Sequence, residues 1–161
     1  MSTVPITLAK RFADSLDRRD YDALFGLIAT DCQYEIQDRL IGSNAAIIQA
    51  YRENTEWAFD VFDRIEFESD VIPESEVSAR ITFTDHLYFG SDVHDYRCQQ
   101  ILHLDNSGRI DRIIHIDLAG EAAALRAYFE VCGIVPPRRI KSISSSASCA
   151  TSSHTAECEP N

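Results

Sequence analysis

The most constraining feature is a run of alternation from residue 76 to residue 104, interrupted once by Gly90-Ser91-Asp92. Val77, Ala79, Ile81, Phe83, Leu87 and Phe89 fall on one parity, against Ser78, Arg80, Thr82 and Thr84 on the other. Tyr96, Cys98, Gln100, Leu102 and Leu104 repeat the pattern after the break. A period of two over such lengths predicts two long antiparallel strands with one face buried. The spacing predicts a third strand over 62–72 (Ile65, Phe67, Val71). A fourth is predicted over 109–118, entered through Asp105-Asn106-Ser107-Gly108, a strong hairpin signal.

The residues before this meander read differently. Leu8, Phe12 and Leu16 recur every fourth position with Ala9 and Ala13 beside them, and Pro5 suits a first helical turn, so 5–18 is predicted helical. Asp20 can cap a short second helix carrying Tyr21, Leu24, Leu27 and Ile28. Tyr34 and Ile36 alternate with polar residues in a predicted strand over 32–38. Gly42-Ser43 opens a third helix that buries Ala46, Ile47, Ala50, Tyr51 and Ala58. Gly120-Glu121 opens a last helix, closed by Gly133. The expected architecture is α+β: helices packed into the concave face of a curved, mostly antiparallel sheet, leaving a conical hollow. Residues 1–135 form this domain. The Ser/Ala/Thr-rich stretch 136–161 holds too little apolar surface to offset its ordering entropy and is expected to be a disordered tail.

Charge and motifs exclude several functions. Fifteen Lys and Arg stand against 26 Asp and Glu, a formal charge of −11, which disfavours binding to nucleic-acid phosphates. No apolar run approaches the ~18 residues of a membrane span, and no secretory signal is visible, so a cytoplasmic location is expected. The five cysteines lack C-x-x-C spacing and are expected to be reduced thiols. There is no glycine-rich phosphate loop and no G-x-S-x-G, and no spacing demands a metal, so neither cofactor nor metal is expected.

The order of elements, with Phe12-Ala13 to Leu16-Asp17, Asp20-Tyr21-Asp22-Ala23-Leu24, Asp31, Gly42-Ser43-Asn44-Ala45-Ala46-Ile47 and Gly108-Arg109-Ile110, resembles the NTF2-like superfamily and its SnoaL-like group. The resemblance covers about residues 4–134. It implies a cone-shaped α+β fold and leaves function open among polyketide cyclases, ketosteroid isomerases, dehydratases, epoxide hydrolases and binding modules. The positions that resemble the isomerase site carry Phe12, Ile36 and Gln100. The cyclase acid/base position is similar to His115.

The polar residues on inward parities are the candidate site; for His115 and Asp117 hydrophobic counting favours the opposite face of the strand, and the resemblance favours the inward one. His115 and Asp117 leave a strand on one face, where the carboxylate can orient the imidazole as an acid/base; the other reading is a rim pair, or a structural histidine. Asp85 interrupts the apolar series Ile81, Phe83, Leu87 and must be paired, protonated or in a wet cavity. Its assigned role is second acid. Tyr34, Asp38, Trp57, Tyr96 and Gln100 are assigned to substrate binding, each with packing or turn formation as the alternative. His86 points to the outside. Ile110, Ile114 and Ile116, on the parity opposite His115, and Ile101 suggest an outer face covered in a homodimer. The expected function is cofactor-free proton transfer (cyclisation, isomerisation or dehydration) on a small hydrophobic carbonyl compound. The alternative is a non-catalytic module for ligand binding or dimerisation.

Overall fold

A computed structural model describes residues 2–136. The tail expected at 136–161, with Cys149 and Cys158, lies outside the described residues but for Pro136. The elements run α1 (Val4–Asp17), α2 (Tyr21–Leu27), β1 (Ile28–Ile36), β2 (Arg39–Gly42), α3 (Asn44–Val61), β3 (Arg64–Ser75), β4 (Ser78–Phe89), β5 (Asp92–Leu104), β6 (Ile110–Asp117) and α4 (Glu121–Cys132).

Local chemistry sets the boundaries. Pro5 sits in the first turn of α1. The Asp20 carboxylate accepts from the Ala23 amide at the start of α2, and the Ser43 hydroxyl accepts from the Ala46 amide at the start of α3. At the β5–β6 turn, Asp105 Oδ1 accepts from the amides of Ser107 and Arg109 at 2.8 and 3.0 Å, and Gly108 takes φ +77°. That backbone region favours glycine.

The six strands form one sheet in the order β2-β1-β6-β5-β4-β3, antiparallel except for the β1–β6 pair. Pro73 falls on β3, an edge strand, where its missing amide breaks no central ladder. α1 and α3 lie over the concave face and bury Phe12, Ala13 and Ile47 against Ile28, Ile81, Leu102 and Ile113. A second apolar cluster joins Phe62 and Trp57 of the α3 end to Leu87, Tyr128 and Phe129, so α4 packs on the other end of the same face.

Two readings require correction. The strand predicted over 32–38 is longer at its start, ends at Ile36, and is followed by a second short strand, β2. Gln37 adopts φ +50°, which turns the chain, so period-two counting does not carry past Ile36. Ile110 is not on the outer face. Its ladder partner is Leu104, while His103 pairs with Arg112, so Asp111 is an extra residue. That bulge resets the alternation and puts both Ile110 and Ile113 in the core with no exposed surface. Ile101, Ile114 and Ile116 do occupy the outer face, half-buried.

The bulge predicts a measurable asymmetry. Ile110→Ala should cost ~2–5 kcal/mol of unfolding free energy and Ile116→Ala no more than about 1. Equal losses in urea denaturation would show that the outer-face reading of Ile110 is right.

Candidate active site

The concave face encloses an open cavity of about 780 Å³. β4 contributes Phe83 and Asp85, β5 contributes Tyr96, Cys98 and Gln100, β6 contributes His115 and β1 contributes Tyr34 and Ile36. α3 supplies Ala50, Tyr51 and Trp57, and α1 supplies Leu16 and Asp17. The period-two parities therefore deliver one set of strand residues to a single chamber.

One wall is a continuous hydrogen-bond chain. Tyr51 donates to Gln100 Oε1 at 2.9 Å, and Gln100 Nε2 donates to the Tyr34 hydroxyl at 3.2 Å. The Tyr34 hydroxyl lies 3.4 Å from His115 Nδ1, and His115 Nε2 lies 3.0 Å from Asp117 Oδ1. Gln37 donates to the other Asp117 oxygen at 3.1 Å. A carboxylate offers only acceptors, so the Asp117 contact assigns the His115 proton to Nε2, which leaves Nδ1 to accept and Tyr34 to donate. The order from the chamber to the surface is hydroxyl, imidazole, carboxylate.

Electrostatics agree with this order. Burial pushes the His115 pKa below its ordinary value, against the opposing pull of Asp117, so the ring is neutral at pH 7. Burial raises the hydroxyls of Tyr34 and Tyr51 well above the usual tyrosine range, and both keep their protons. The two rings stack at 5.5 Å between centroids, which holds the hydroxyls side by side.

Asp85 is the opposite case. Its cross-strand neighbours are Phe67 and Tyr96. Among the described residues no side chain or amide hydrogen-bonds its carboxyl. Burial, with Asp17 as a second cause, pushes its pKa up to about 7. Asp17 is itself raised by burial and by Asp14. Asp85 and His115 are not a dyad. Asp85 pairs with Tyr96 and His115 with Gln100, four residues along β5 and two strands across. On a flat sheet that is on the order of 15 Å between Cα atoms.

Seven of the eight residues assigned from sequence are brought to this region. Tyr34, Trp57, Asp85, Tyr96, Gln100 and His115 line the chamber, and Asp117 stands behind His115, about one third exposed at the rim. Asp38 is corrected: it is exposed in the β1–β2 turn, because the left-handed Gln37 ends the strand before it. Sequence reasoning passed over Asp17 and took Tyr51 for core. The signal was present in each: a carboxylate one turn after Ala13 on the α1 stripe, and a hydroxyl on the apolar stripe of α3. His86 points outward as expected, held by Asp95 and Glu68 at 2.6 and 2.8 Å. Cys32, Cys98 and Cys132 are free thiols, only Cys32 fully buried. Among the described residues no three His, Cys, Asp or Glu side chains are grouped as metal ligands, and no helix is long and apolar enough to cross a membrane.

No protein-family model and no curated protein matches the chain. Solved structures do. A Mycobacterium tuberculosis epoxide hydrolase described as LEH-like is 18% identical over 81% of this chain and 96% of its own, with a TM-score of 0.58. A Kribbella flavida protein described as a candidate ketosteroid isomerase is 18% identical over 99% and 93%, TM-score 0.59. A candidate polyketide cyclase from Xanthomonas campestris is 13% identical over 80% and 96%, TM-score 0.57. Such identities establish a shared architecture, with chemistry a separate matter.

The Asp85 carboxyl makes stability pH-dependent. Folded, it keeps its proton to about pH 7; unfolded, it titrates near pH 4. Between these values the folded chain holds more protons, so stability falls as pH rises from about 4 to about 7 and then levels. Asp85→Asn should flatten that slope and raise unfolding free energy at pH 8 by ~3 kcal/mol, with little change at pH 4. Parallel pH profiles for the two proteins would contradict the buried, unpaired state of Asp85.

Proposed function

The chain has the NTF2-like fold, and from that premise we propose that it is a cofactor-independent acid–base enzyme acting on a small, largely apolar carbonyl compound held in the cone. The supporting observation is the Tyr34–His115–Asp117 order on a chamber wall that is otherwise mostly apolar. A substrate oxygen beside Tyr34 receives the phenolic hydrogen bond, and the negative charge that builds on that oxygen as an adjacent C–H is broken is stabilised. His115, neutral and with Nδ1 facing Tyr34, takes or returns the proton, and Asp117 stabilises the imidazolium while it exists. Gln100 fixes the hydroxyl by donating to its oxygen, which leaves the hydrogen free to point at substrate or at His115. Cyclisation, isomerisation and dehydration all draw on this step.

A second reading, a non-catalytic binding module, draws on the internal satisfaction of the wall. Tyr34 and Gln100 are only 5% and 4% exposed, and both His115 nitrogens already have partners.

The readings separate in deuterium oxide. A panel of aromatic ketones and lactones is screened for thermal stabilisation, and bound compounds are followed by NMR for exchange of the hydrogens next to the carbonyl. The enzyme reading expects wild type to accelerate exchange and Tyr34→Phe or His115→Ala to lower it ~10²-fold or more while thermal stabilisation persists. Binding with no accelerated exchange supports the module. No stabilisation by any compound removes the support for both.

The homodimer is part of the same proposal. Ile101 and Ile114 face each other across β5 and β6 on the outer side, next to Ile116. Sedimentation velocity at micromolar concentration should give a dimer that Ile114→Lys dissociates; a wild-type monomer contradicts it.

A further inference from the structure

We propose that the cavity takes a ligand bearing a protonated amine, seated on the Asp85 carboxylate at the end of the chamber remote from the Tyr34–His115 chain. The inference rests on the cavity being the ligand site, as the proposed function does, but not on the chemistry assigned to Tyr34 and His115.

The first ground is an unmet requirement. A carboxylate in an apolar wall needs a counter-charge, hydrogen bonds or a proton. Among the described residues Asp85 has no hydrogen-bond partner and no ion pair. The outward neighbour His86 is engaged on the opposite face by Asp95 and Glu68. The titratable groups that face Asp85 from other elements are Asp17 of α1 and the Tyr96 hydroxyl and Cys98 thiol of β5, and none brings positive charge. At the other end of the chamber the polar groups are paired: Gln100 twice, and Tyr34, Tyr51 and His115 in sequence.

The second ground is the surroundings. Asp85 stands between Phe67 and Tyr96 in its cross-strand row, and Phe83 and Trp57 line the same chamber. Aromatic faces beside a carboxylate favour a cation, since the ring quadrupole adds to the Coulomb attraction. The third ground is sign. Asp17 also lines the cavity, and among the described lining residues the one Lys or Arg is Arg39, on the edge strand β2. An anionic ligand end would meet carboxylates here. A neutral hydroxyl could hydrogen-bond to Asp85 but brings no charge that favours the ionised carboxylate. An ammonium does both. The ligand class is an aryl-alkyl or alicyclic amine, which for the proposed reaction places the basic nitrogen at the far end from the carbonyl.

The test uses three probes of one shape: 2-(2-naphthyl)ethylamine, 2-(2-naphthyl)ethanol and 2-naphthylacetate. Each is titrated by calorimetry at pH 7 in buffers of different ionisation enthalpy. The wild type should bind the amine at least tenfold more tightly than the alcohol and the acetate weakest of all. Amine binding should release a fraction of a proton, seen as a buffer-dependent enthalpy, because the cation ionises Asp85. Asp85→Asn should abolish both the preference and the release, with its thermal unfolding confirming a folded protein. His115→Ala should leave both unchanged. Amine and alcohol bound equally by wild type, or an amine preference that survives Asp85→Asn, would overturn this inference while leaving the proposed function standing. Should none of the three bind at millimolar concentration, the amine site is refuted; the carbonyl panel then decides the proposed function separately.

Discussion

The directed hydrogen-bond chain from Tyr51 through Gln100, Tyr34 and His115 to Asp117 holds the chamber together. It crosses α3, β5, β1 and β6 in turn, so one network fastens the long helix to three strands of the concave face. Each donor has one acceptor, and removing any member would strand a buried polar group at a cost of ~1–3 kcal/mol. The chain also sets the protonation pattern. A carboxylate at the rim offers only acceptors to Nε2 of His115, and everything inward is oriented by that contact. A wall satisfied in this way leaves the hollow beside it unfilled.

The two poles of the cavity differ in kind. At the Tyr34 end the polar groups are mutually satisfied, and burial keeps them neutral. At the Asp85 end a carboxyl lines the cavity with no hydrogen-bond partner among the described residues, and burial keeps its proton on up to about pH 7. The first pole is preorganised: its donors and acceptors are already set in one order. The second stores an electrostatic deficit that a ligand can relieve. The sheet separates the poles by two strands and four residues, which gives the chamber a length as well as a volume. Its apolar walls are supplied by the same alternation that builds the core.

Most of this was legible because strand parity is unforgiving. Ile81, Phe83, Asp85 and Leu87 must share a face, so a charged residue in that series had to lie inside. The same logic put Tyr34, Tyr96 and Gln100 on inward faces, whereas on β6 hydrophobic counting favoured the face opposite His115 and the family resemblance favoured the inward one. Parity failed where the backbone departs from regular geometry. The extra residue Asp111 swung Ile110 inward, and the left-handed Gln37 took Asp38 out to solvent. Neither residue type announces such a departure. The helical contributions were harder for a different reason. Tyr51 and Asp17 lie on apolar stripes, but how deep a stripe residue sits depends on the helix crossing the sheet, which period alone does not give. Donor direction was out of reach until the partners were known.

The central claim is that direction, and nitrogen NMR of the imidazole at residue 115 reads it without a ligand. At pH 7 the account requires a neutral ring with the proton on Nε2 and a bare Nδ1, staying neutral as pH falls below the usual histidine midpoint. An imidazolium at neutral pH, or a proton on Nδ1, would mean that Tyr34 does not donate into the ring, and the account would be wrong at its base.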